Sequence, residues 1–263
     1  MMKINDGLNL IKGCVELLER AVVIFDDEIG KPEFIREIGR ERFRYQKPSS
    51  QIFQVLKSVR VASAYNACLC LLRQGYCQET CALIRMVFEF LHDMEFIAES
   101  YLKGGVSGRQ QEMLALFFKE DLPDPEEFMS RHNKRPTVPR RKVYAEVARG
   151  LSPENPDRTQ RLIRLLEESY SGYVHAAYPH IMELYVGGVW RFSINGMAGT
   201  PRQFQALRAV VRSLSQALNQ FAKLAIQFGK VELFKELIEK RKMLETSVFY
   251  RKIANSRAKV PEK

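Results

Sequence analysis

Long uncharged runs are missing from this 263-residue sequence. The longest, Ser169 to Met182, holds 14 residues and contains Pro179 and two histidines. A membrane-spanning helix needs about 18 or more. The layout of a secretory leader is not expected either, since Lys12, Glu16 and Glu19 interrupt any apolar stretch in the first residues. These absences lead us to expect a cytoplasmic protein with no membrane partner. Cysteine is scarce and odd in number, at five. Cys14 stands alone, while Cys68, Cys70, Cys77 and Cys81 crowd together, which is a poor disulfide framework. On a helix Cys68 and Cys70 point about 200° apart, which argues against a shared zinc ion. Cys77 and Cys81 do share a face. The cysteines read best as small buried hydrophobes, and neither a metal nor a cofactor is expected.

Catalytic signatures are equally thin. The chain has no phosphate-binding glycine loop, no HExxH and no Gly-x-Ser-x-Gly. Gly104-Gly105 and Gly187-Gly188 lack the strand-then-helix setting of a nucleotide loop. Asp121, Asp124, Glu126 and Glu127 cluster around two prolines and read as a solvated helix start. No internal repeat and no series of alternating strands is visible.

What remains is helical pattern. Apolar residues make up 46% and charged residues 27%, a globular composition. Residues 6–29 read as an amphipathic helix closed by Gly30 before Pro32. A charged linker is expected up to Pro48. Helices over about 50–73 and 78–100, separated only by a short turn at Gly75, must form an antiparallel hairpin. Shorter helices follow at about 108–121, 125–133, 139–150 and 155–170. Pro179 starts a short helix through Tyr185, and a short extended piece is expected near 187–194. Helices at about 201–228, capped by Thr200, and 230–254 finish the chain. The expected fold class is all-α, a single helical bundle around the central hairpin.

Net charge is +10 and unevenly spread. Past residue 200 there are 14 basic against 5 acidic side chains. A second cluster holds Arg131, Lys134, Arg135, Arg140, Arg141 and Lys142. Localised basic surface attracts nucleic acid, acidic proteins or anionic lipid, and a solvated helix face has the same composition. The candidate nucleic-acid contacts are Arg140, Arg141, Lys142, Arg241, Lys242, Arg251 and Lys252.

Two constellations could carry chemistry. On the third helix Leu83, Val87, Phe90, Leu91, Met94 and Ile97 form an apolar face. Gln78, Arg85, Glu89 and His92 fall opposite, with Asp93 at the edge, and Arg85 can pair with Glu89 four residues on. One apolar and one polar face is what a surface helix looks like, whereas Phe96 inside this stripe and Phe88 beside it favour a pocket between helices, and both readings stay open. The second constellation runs from Tyr170 to His180 and holds two of the four histidines. Histidine there can act as acid or base near neutral pH.

The run Gln74-Gly75-Tyr76, with Glu79 through Glu89 spanning Arg85 and Glu89, resembles the arginine–glutamate helix of a bacterial family of unknown function. Ser171-Gly172-Tyr173-Val174-His175-Ala176 resembles the Ser-x-x-x-His segment of the same proteins. They are similar to the HEPN group (higher eukaryotes and prokaryotes nucleotide-binding), all-α bundles that include RNA-cleaving toxins and phage-defence components. The likeness covers residues 50–100 and 165–190. It implies a homodimer that binds or cleaves RNA or a nucleotide, or docks a protein partner, with Arg85, Glu89, His175 and Tyr173 as catalytic residues. Active members space arginine, four to six residues, then histidine. Here only Arg85 and His92 meet that spacing, so an active site would draw Arg85 and His175 from different helices. The alternative is a non-catalytic interaction module in which Arg85, Glu89 and His175 form a structural network. Were the C-terminal charge to contact nucleic acid, binding would fall steeply with salt. It would fall again on charge reversal at Arg241, Lys242, Arg251 and Lys252, and equal binding of that variant across a salt titration would remove this helix from the interface.

Overall fold

The turn between the two central helices is set by a single glycine. Ser49 caps the first of them by accepting from the Ile52 N–H at 3.1 Å. That helix runs to Gln74 and ends at Gly75, whose φ of 80° belongs to the left-handed region. The Gly75 N–H bonds the Leu72 carbonyl and the Tyr76 N–H the Leu71 carbonyl, which satisfies the last turn before Cys77 opens the next helix. Another part of the chain presses on this turn. The Met197 N–H donates to the Gly75 carbonyl at 2.8 Å, and a Cβ on Gly75 would meet the Ala198 nitrogen at 2.2 Å.

In the computed structural model residues 4–37, 40–102, 105–119, 137–186 and 191–250 are described. In chain order the elements are α1 (Ile4–Ile29), β1 (Glu33–Glu37), β2 (Arg40–Arg44), α2 (Ser50–Gln74), α3 (Cys77–Leu102) and α4 (Gly108–Phe118). Then come α5 (Arg140–Leu151), α6 (Pro156–Val174), α7 (Tyr178–Met182), β3 (Tyr185–Val186), β4 (Arg191–Phe192), α8 (Pro201–Gln227) and α9 (Val231–Thr246). The fold is an all-α bundle with two minimal hairpins. Helices α1, α2, α3 and α8 pack on one another, and α9 lies along α8. Their main core gathers Ile11, Leu18, Phe25, Tyr65, Leu72, Ile84, Leu207, Leu218 and Phe221. On its other side α3 is covered by α5 and α6, over a second core of Phe53, Phe96, Ile97, Val143, Tyr144, Val147 and Ile163. Phe96 is therefore no anomaly, because the stripe it interrupts faces protein.

Helix boundaries fall close to expectation, although α6 runs one turn further than 170 and α9 stops at Thr246 rather than 254. The expected helix at 125–133 lies outside the described residues. The linker after α1 holds β1 and β2 instead, paired antiparallel with Phe34 opposite Phe43 and their rings 5.1 Å apart. The density of charge, with Arg36-Glu37 and Arg40-Glu41-Arg42 in unbroken runs, masked this hairpin; Arg36 and Glu41 pair across it at 2.7 Å. The extended piece near 187–194 is β4, joined to β3 through Tyr185 and Phe192. Among the described residues α2 alone is long and apolar enough to cross a membrane by length and composition, and half of its apolar window is buried in the bundle. Cys14, Cys68, Cys77 and Cys81 are buried, and burial pushes the Cys68 and Cys81 thiols up to about 12. Cys70 departs from expectation and is exposed.

Gly75 gives a direct test of the turn. Gly75→Ala should destabilise the protein by about 2 kcal/mol or more, since it adds backbone strain to a steric collision. Gly199 also has positive φ, 76°, but opens onto free space, so Gly199→Ala should cost clearly less. Urea denaturation of both variants measures the difference, and equal losses would show that residues 196–198 do not constrain the turn.

Candidate functional site

Two residues of α6 are buried, Ile163 and Glu167, one turn apart. Ile163 belongs to the second core. Glu167, only 7% exposed, puts a carboxylate at a position where an apolar residue would otherwise pack. It is ringed by donors from two neighbouring helices. The Tyr144 hydroxyl of α5 donates to Oε2, and Arg85 Nη2 of α3 approaches the same oxygen at 3.6 Å. Oε1 lies 3.5 Å from His92 Nδ1 and 3.9 Å from Arg140 Nη2. Burial opposes ionisation of Glu167. Its contacts with His92 and Tyr144 and the charges of Arg85 and Arg140 outweigh burial and hold the carboxyl below its ordinary 4.5. Burial and the acidic partner together push Tyr144 up to about 12.

Arg140 extends the network. Its Nη1 donates to Asp93 Oδ1, its Nε to the Tyr144 oxygen at 3.1 Å, and its Nη2 to the Glu89 carbonyl at 3.4 Å. Asp93 Oδ2 takes Lys57 Nζ at 2.9 Å. Arg140, expected as a nucleic-acid contact, thus spends its donors inward. Arg141 and Lys142 on the same first turn are exposed. Arg241 is engaged with Glu245 at 2.8 Å and Asn219 at 2.7 Å, whereas Lys242 is exposed. Arg251 and Lys252, with Arg131, Lys134 and Arg135, lie outside the described residues.

One and two turns beyond Glu167, α6 carries Ser171 and, at its C-cap, His175. These two join Ala82, Arg85, Met86, Glu89 and Val174 in lining an open cleft of about 220 Å³. Arg85, Glu89 and His175 therefore line one cleft. Arg85 Nη1 lies 2.7 Å from Glu89 Oε1, yet out of line: Nη1 and Nε are buried without a hydrogen-bond partner. The His175 imidazole is exposed and bonds no described residue. Tyr173 does not join this group. Its hydroxyl donates to Glu183 at 3.1 Å and faces a second cleft with Cys77, Cys81 and Arg202. Burial raises it well above its ordinary 10. His180 turns the same way, packed at 4.3 Å on Tyr173 and over Gly172, where a Cβ would meet its ring at 2.1 Å.

Sequence reasoning missed Glu167, Tyr144 and Lys57, and gave Asp93 only an edge position. A signal for Glu167 existed: an acid in the helical register of Ile163, one turn on. Compared with known proteins, the chain matches no family model, no curated protein and no solved structure.

Removing the central carboxylate takes the buried acceptor from Tyr144 and one of two carboxylates from Arg85, while Arg140 keeps Asp93, so Glu167→Ala should lower stability by about 1–3 kcal/mol in urea denaturation at neutral pH. Because folding lowers the pKa of Glu167, its contribution is present above about 4.5 and lost as pH falls below that value. Wild type and Glu167→Ala should therefore converge in stability toward acid. A constant gap from pH 7 to pH 3 would contradict an ionised Glu167.

Proposed function

We propose that this HEPN-like bundle binds an RNA or nucleotide phosphate in the cleft lined by Arg85, Glu89, Ser171 and His175, and that His175 moves the proton in RNA cleavage. The reading rests on one observation: an unbonded, exposed imidazole and a guanidinium line the same small opening. A guanidinium held by carboxylates on two sides is fixed in direction and cannot be deprotonated, which suits a phosphate oxygen. Imidazole near neutral pH accepts a proton from an attacking hydroxyl and returns it to a leaving oxygen. Glu89 and Glu167 then orient Arg85. Tyr173, turned to the second cleft, has no part in the step. The setting this implies is a bacterial defence or toxin system, and the assembly a homodimer. Of the candidate contacts among the described residues, Arg141, Lys142 and Lys242 are exposed and free to follow a nucleic-acid backbone.

A second reading has its own support. Arg85 reaches buried Glu167 and pairs with Glu89, so the group also serves as a structural network in a non-catalytic helical module. The two separate at His175, which contributes nothing to that network. On the first reading His175→Ala abolishes RNA cleavage, or toxicity on overexpression, with the melting temperature nearly unchanged. Arg85→Ala loses the same activity and also about 1–3 kcal/mol of stability. Full activity in His175→Ala would sink the first reading. Lost stability in Arg85→Ala, with no RNA bound or cut by wild type, would leave the second.

A further inference from the structure

A pocket of about 470 Å³ opens on the far side of Arg140 from the cleft, between α2, α3, α4 and the start of α5. Its walls are Phe53, Met113, Leu116, Phe117 and Val138, and its polar end is Lys57, Asp93 and Arg140. The size is that of a small-molecule site, and so is the lining: apolar walls with a few convergent charges.

The polar end has an imbalance. Asp93 has two carboxylate oxygens, and both are taken, Oδ1 by Arg140 and Oδ2 by Lys57. Arg140 also lies 3.9 Å from Glu167, so the charges are near balance, and what the pocket keeps is unspent donor capacity. The remaining donors of Arg140 turn away from it, to Tyr144 and the Glu89 carbonyl. Those of Lys57 do not. Its ammonium has three N–H groups, and among the described residues Asp93 is the one oxygen it bonds. Aromatic rings surround the rest, with centroids of Phe53, Phe90 and Phe117 at 5.4, 4.9 and 5.4 Å. Ring faces attract and orient a cation without neutralising it. The Lys57 side chain is 14% exposed and Asp93 13%, so little water is available to complete the shell. A buried ammonium short of acceptors, at the end of an apolar pocket, is arranged for an anionic oxygen that the chain does not supply.

We propose that this pocket binds a small organic anion, one phosphate or carboxylate group on an aromatic or aliphatic body, with the anion on Lys57 and the body between Phe53, Leu116, Phe117 and Val138. The site is separate from the Arg85–His175 cleft and does not depend on the reading given to it.

Phenyl phosphate tests the pairing of charge and apolar body, with inorganic phosphate and benzyl alcohol as its two halves. Thermal shift and calorimetry on the full chain should show phenyl phosphate binding and raising the melting temperature. Inorganic phosphate should bind at least about tenfold more weakly, and benzyl alcohol not measurably. Lys57→Met should weaken phenyl phosphate by about tenfold or more. Should Lys57→Met fail to fold, Leu116→Trp, which fills the pocket and leaves every charge in place, should produce the same loss. Absence of binding by wild type up to about 10 mM would overturn the proposal. So would inorganic phosphate binding as tightly as phenyl phosphate, or wild-type affinity in Leu116→Trp.

Discussion

An ionised carboxylate in a helix interface tolerates few arrangements. Glu167 takes the Tyr144 hydroxyl of α5 on Oε2, while Arg85 and His92 of α3 stand at ion-pair distance and Oε1 is left without a hydrogen bond. Apolar packing of Ile163 alone would let α6 rotate about its own axis with little change in buried area. A carboxylate that must meet Tyr144, Arg85 and His92 at once removes that freedom. Buried charge of this kind adds little net stability over an apolar core and is better understood as fixing which arrangement forms. Once the rotation of α6 is fixed, the positions of Ser171 and His175 on its last turns follow, and the cleft beside Arg85 comes with them.

The same logic makes α3 the axis of the molecule. One side of this helix supplies Ile84, Val87, Leu91 and Met94 to the main core. Another supplies Phe96 and Ile97 to the second. Its charged residues lie where these cores leave room. Arg85 and His92 meet Glu167, Asp93 meets Lys57 and Arg140, and buried Glu95 takes Lys223 of α8 at 2.6 Å and Gln220 beside it. Asp93 and Glu95, the acids buried on α3 among the described residues, are each matched by a cation from another helix, so neighbours dock in register as well as by area.

Arg140 joins the two regions where chemistry is concentrated. It touches Asp93 at the floor of the apolar pocket and Tyr144 and Glu167 in the network that orients Arg85. A change in the charge seen by Asp93 is felt by a side chain that also borders the cleft support.

The all-α class, the central hairpin and most helix ends were legible in the sequence, because capping residues, Gly75 and 3.6-residue periodicity are local properties that survive in any tertiary setting. The wheel of α3 likewise put Arg85, Glu89 and His92 on one face. What that face meets is not local. Glu167 is 82 residues from Arg85 by their numbering, and nothing in α6 read alone distinguishes an acid that faces protein from one that faces water. Tyr173 and His175, two apart on one helix, were expected to serve one site, yet they point into different clefts, since two residues turn a helix by about 200°. Arg140 looked like surface charge and is spent inward, because its partner Asp93 lies on another helix. Sequence by itself determined which segments are helices and which faces are apolar; only packing decided which charges are neutralised inside and which stay exposed.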